Sequence, residues 1–75
     1  MLSGFLKLKA KYGLVHVPSS AKAGRWAAET KRLIQLGYPD EQAGMEAARR
    51  IFRYEYREYS VYSERAVRQL LRDLS

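Results

Sequence analysis

Reactive groups are few in this chain, and none stands at a spacing that chemistry could use. His16 is the single histidine and there is no cysteine, so nothing completes a metal set or a nucleophile–base pair around it. The carboxylate pairs Asp40/Glu41 and Glu55/Glu58 are accounted for by a helix start and by surface ion pairing. Gly13, Gly24, Gly37 and Gly44 are scattered singly, which leaves no glycine-rich loop to cradle a phosphate. The expectation is a protein that is not an enzyme, with no catalytic residue, metal, cofactor or small-molecule substrate.

Binding chemistry is better supplied. Fourteen lysines and arginines stand against eight acids, a formal charge of +6. A basic chain of this size attracts polyanions: nucleic acid, an acidic protein surface or an anionic membrane. The excess is uneven. Residues 1–38 hold seven basic residues and one acid (Glu29), giving +6, whereas residues 39–75 hold seven of each, giving zero. Phosphate contacts are therefore expected from Lys7, Lys9, Lys11, Lys22, Arg25, Lys31 and Arg32, with the lysine-bearing start the strongest candidate for long-range attraction. The stretch Ile51-Phe52-Arg53-Tyr54-Glu55-Tyr56-Arg57-Glu58-Tyr59 interleaves arginine with tyrosine, the residues that bind phosphate and stack on bases. Yet Pro39 to Tyr59 holds four arginines against five acids, so this segment carries −1.

The run Ser63-Glu64-Arg65-Ala66-Val67-Arg68-Gln69-Leu70-Leu71-Arg72 resembles the recognition helix of helix-turn-helix proteins. A small capping residue opens it, a valine lies one turn on, and Arg and Gln project from one face. That resemblance implies base contacts from Arg65, Arg68, Gln69 and Arg72. It departs upstream, where Arg57 and Val61 replace the family's small residue and turn glycine. Leu36-Gly37-Tyr38, Ala43, Ala66-Val67 and Leu70-Leu71 are also similar to the spacing of ubiquitin-associated three-helix domains, although the interval from Ala47 to Ala66 is several residues longer. The rival to nucleic acid is a protein-interaction module (an adaptor, an assembly subunit or a small inhibitor) with Tyr12, Tyr38, Tyr54 and Tyr62 as interface anchors. Homodimerisation is compatible with both.

The elements that must carry these groups are short amphipathic helices. Leu6, Leu8, Ala10 and Tyr12 alternate with lysines in a strand-like period. Phe5, Leu8 and Tyr12, however, share a helical face between Ser3 and Gly13, and no later segment offers a sheet partner. A second helix starts at Ser19-Ser20 and carries Ala23, Trp26, Ala27, Thr30, Leu33 and Ile34 on one face until Gly37-Tyr38-Pro39 stops it. A third opens at Asp40-Glu41 with Met45, Ala48, Phe52, Tyr56 and Tyr59 as its stripe, and a fourth buries Ala66, Val67, Leu70, Leu71 and Leu74. The spacing predicts helices at about 3–12, 20–36, 40–59 and 63–74, in an all-α, single-domain bundle of three principal helices plus a short N-terminal one. Its core should centre on Phe5, Trp26, Leu33, Ile34, Met45, Ile51, Phe52, Val67, Leu70 and Leu71. No apolar run approaches the roughly 20 residues a membrane span requires, and lysines interrupt the apolar start where a signal peptide needs an unbroken core. Membrane binding is not expected, and the cysteine-free composition fits a reducing, cytoplasmic setting.

Overall fold

A computed structural model describes residues 4–53 and 67–74, and within them every regular element is a helix. Helix α1 spans Gly4–Tyr12, α2 Ser20–Gln35, α3 Asp40–Ile51 and α4 Val67–Leu74. Helix α3 ends before the expected 59, with Phe52 already its C-cap, and the rest of the expected extensions, at 54–59 and 63–66, lies outside the described residues.

Local chemistry fixes the helix ends. Ser19 caps α2 by accepting a hydrogen bond from the Lys22 backbone N–H at 3.2 Å, satisfying one of the donors a helix start leaves open. At the other end the Tyr38 N–H donates to the Leu33 carbonyl at 3.1 Å and the Gly37 N–H to that of Ile34 at 3.0 Å. This is a Schellman closure around Gly37, whose φ of 106° suits glycine and strains any residue with a Cβ. Gly13 ends α1 in the same way: its φ is 61°, and the Leu14 N–H reaches the Lys9 carbonyl at 3.0 Å. That closure turns buried Leu14 inward, and it decides between the two periods of the N-terminal segment in favour of the helix.

Helices α2 and α3, joined by four residues, form a hairpin that holds most of the core. Trp26 is fully buried between them, and its indole N–H donates to the Gly44 carbonyl at 3.0 Å. Its ring lies 6.0 Å from that of Tyr12, tilted by 57°, within the range of favourable aromatic pairs. The inner face of α3 consists of Ala43, Gly44, Ala47 and Ala48, all buried. These small residues leave room for Trp26 and Tyr12 to fill.

That packing corrects one core assignment. Met45 is exposed at 38%, because α3 turns its small residues inward and one step along the helix swings Met45 about 100° outward from Gly44. Phe52, Val67 and Leu70 are buried as expected, with Phe5, Ile51, Leu71 and Leu74 half-buried against them. Helix α4 closes the bundle against α1, so tightly that a Cβ at Gly4 would lie 3.0 Å from a Leu74 methyl.

Candidate nucleic-acid interface

The α1 lysines are largely spent on the fold. Lys7 Nζ sits 2.8 Å from Asp73 Oδ2, which ties α1 to α4. Lys11 Nζ lies 2.8 Å from Glu41 Oε1, with the lysine side chain only 5% exposed. The expectation of Lys11 as a phosphate contact is thereby corrected. Its Cα stands on the face that buries Leu8 and Tyr12, and a buried ammonium requires a fixed anionic partner. Glu41 supplies it, and its other oxygen accepts the Val67 N–H at the start of α4 at 2.8 Å. One carboxylate thus joins α1, α3 and α4. Lys9 is left half-buried on α1.

Helix α4 is engaged similarly. Arg68 pairs with Asp40, which holds the guanidinium pKa above its ordinary value through their hydrogen bond. Gln69 donates to Asp73 at 3.1 Å. Asp73 is held below the usual carboxylate range, first by its hydrogen bond from Lys7 and then by that from Gln69. Arg72 is exposed beside a shallow depression lined by Ile34, Asp40, Arg68 and Leu71. Arg65 lies outside the described residues.

Cationic surface is retained on α2. Lys22, Arg25, Lys31 and Arg32 are all exposed. Among the described residues no carboxylate pairs with Arg25 or Lys31. With 100° per residue, the solvent face of α2 centres on Ala28, with Ala21, Gly24 and Gln35 along it. Lys31 flanks this strip on one side, and Arg25 and Arg32 flank it on the other, two turns apart. The composition of the strip was not legible as a site, because small residues give no signal when apolar and charged positions are counted.

Glu29, the one acid of the first 38 residues, sits on the same edge as Arg25 and Arg32. Arg32 grips it with both prongs, Nε to Oε1 at 3.0 Å and Nη2 to Oε2 at 2.6 Å. Arg50 of α3 reaches the same Oε2. Sequence reading missed this convergence, since it joins residues 21 positions apart. The hydrogen bond from Arg32, followed by that from Arg50, lowers the Glu29 pKa from 4.5 to about 2. A carboxyl more acidic in the folded chain than in the unfolded one stabilises the fold fully above pH 4.5, and that contribution disappears as pH falls through about 2. Wild type is therefore expected to lose more stability than Glu29→Gln as the pH falls through this window. Urea midpoints of both proteins across it provide the check, and parallel pH profiles would refute the assignment.

The tyrosines divide. Tyr12 is buried at 5%, against its expected place at an interface, because it fills the space above Gly44 beside Trp26. Tyr38 is exposed and, with Gln42, Met45, Glu46 and Arg49, lines a shallow groove on the outer face of α3. Tyr54 and Tyr62 lie outside the described residues. None of the helices is long and apolar enough to cross a membrane, among the described residues. The chain matches no protein-family model, no curated protein and no solved structure.

Proposed function

We propose that this chain is a non-catalytic binding module that docks the outer face of α2 on the phosphate backbone of a nucleic-acid duplex. The observation that carries the reading is the combination of exposed Arg25, Lys31 and Arg32 with a centre of alanine and glycine between them. Small residues allow a helix to approach a polyanion closely, while long cationic side chains on both flanks reach the phosphates. A duplex suits this face better than a single strand, because stacking on unpaired bases needs an exposed aromatic and the one aromatic of α2, Trp26, is fully buried. The binding is to backbone, without base readout, and a reducing cytoplasmic setting is compatible with a chain that has no cysteine.

With Arg32 held by Glu29, the phosphate contacts of Arg25 and Lys31 give a slope of log K against log salt of about −1.8 on a duplex. Anisotropy titrations of a labelled duplex across a salt series measure it directly. The double variant Arg25→Ala/Lys31→Ala is expected to flatten the slope by about 1.8 and to weaken binding roughly 30-fold near 0.15 M salt. Binding indifferent to salt, or unaltered in the double variant, rejects the proposal.

A second reading has its own observation. Leu36, Tyr38 and Met45 are exposed at 65%, 41% and 38%, and tyrosine and arginine, here Tyr38 and Arg49, are residues enriched where proteins meet. This edge would serve a protein-interaction module, and a stoichiometric partner that survives nuclease treatment would favour it.

A further inference from the structure

We infer that Arg32 of α2 and Arg50 of α3 form a phosphate-sized anion site, and that the Glu29 carboxylate fills it as an internal competitor. Three observations converge. Two guanidiniums from different helices address one carboxylate, Arg32 donating to both Glu29 oxygens and Arg50 to one of them. The fork geometry that receives a carboxylate receives a phosphate equally well, because both present two oxygens at matching separation. Glu29 is also the only acid in the first 38 residues, and Arg25 stands one turn before it on the same edge of α2.

The seam is accessible from solvent. Glu29, Arg32 and Arg50 side chains are 20%, 52% and 49% exposed, so the carboxylate can swing out about its side-chain torsions while both arginines stay in place. A phosphate of the backbone then takes over the two forks. Because the row Arg25–Glu29–Arg32 runs along the edge of the α2 face, this site extends the docking surface rather than adding a separate one. The competition with a duplex rests on the reading proposed above. The anion site itself does not, since free phosphate offers the same oxygens as a phosphodiester.

The test compares Glu29→Ala and Glu29→Gln with Glu46→Gln, which makes an equal charge change beside Arg49, the residue Glu46 pairs with at 3.1 Å. Circular dichroism melts establish that each variant is folded. Vacating the site should tighten duplex binding roughly tenfold beyond the Glu46→Gln effect and steepen the salt slope by up to about 1.8, for two freed cations. Arg50→Ala should remove much of that gain in the Glu29→Ala background and change little in wild type. Inorganic phosphate, followed by the Nε–H resonances of the arginines, should shift Arg32 and Arg50 in Glu29→Ala and leave them in place in wild type. Equal gains from the Glu29 and Glu46 variants, without a phosphate response, overturn the inference while leaving duplex binding intact. A phosphate response of equal size in wild type overturns it too, because Glu29 would not then be in competition. A wild type that ignores duplex, beside a Glu29→Ala variant that takes phosphate at these two arginines, removes the proposed function and retains the anion site.

Discussion

Trp26→Ala is expected to leave little folded protein at ordinary temperatures. Truncating a large, fully enclosed aromatic costs about 3–5 kcal/mol through lost burial and the cavity that remains. Trp26 has no exposed surface and stands where α1, α2 and α3 meet. Its removal also withdraws the indole hydrogen bond that ties α2 to the Gly44 carbonyl of α3 and one ring of the pair with Tyr12. A domain of this length has a total stability of only about 4–11 kcal/mol at typical values per residue, so one substitution consumes much or all of it. Urea denaturation followed by circular dichroism is the measurement. A cooperative transition with a midpoint within about 0.5 M of wild type would refute the central place given to Trp26, since a loss of 3 kcal/mol corresponds to roughly 1–3 M.

Two glycine-to-alanine changes should act in opposite directions. At Gly44 a Cβ would stand 2.5 Å from the Tyr12 hydroxyl and 2.5 Å from Val67 Cγ2, with Trp26 Cζ2 at 3.4 Å. Tyr12 and Val67 are themselves buried, so neither can retreat without moving α1 or α4. Overpacking of this kind costs about 1–3 kcal/mol. The clash from two sides places Gly44 at the upper end of that range, from which alanine's better helix propensity returns about 1 kcal/mol. At Gly24 nothing lies within 4 Å of the added carbon, and only the propensity gain of about 1 kcal/mol remains. Thermal melts should show Gly24→Ala raised by about 4–8 °C and Gly44→Ala lowered by a comparable or larger amount. Equal shifts in the two variants would mean that α3 does not approach α1 and α4 as closely as described.

The sequence was informative wherever a short stretch decides its own conformation. Ser19 as a cap and Gly13 and Gly37 as helix stops act through bonds between residues no more than five positions apart, so their types and positions suffice to place them. It was less informative where a decision is made between helices. Counting large apolar residues put Met45 on the inner face of α3, whereas close approach to α2 selected the face of smallest residues. Counting charges put the cationic surface on residues 1–38 with the lysine-bearing start foremost, whereas Asp73 and Glu41 draw Lys7 and Lys11 into the bundle and leave α2 the more available. Both acids belong to the charge-neutral half of the chain, and nothing in local spacing connects them to the lysines. The same holds for Glu29 and Arg50, which face each other only because α2 and α3 pair as a hairpin.

The two kinds of contact also differ in when they can form. Trp26 and Gly44 are 18 positions apart, whereas Lys7 and Asp73 are separated by 66. Bringing the longer loop together costs about 1 kcal/mol more in chain entropy, from the logarithmic dependence on loop length. The α2–α3 hairpin is therefore the cheaper contact to make first. The carboxylate bridge from α1 to α4 carries the larger closure cost, and the surface proposed for phosphate lies on the pair of helices joined by the shorter loop.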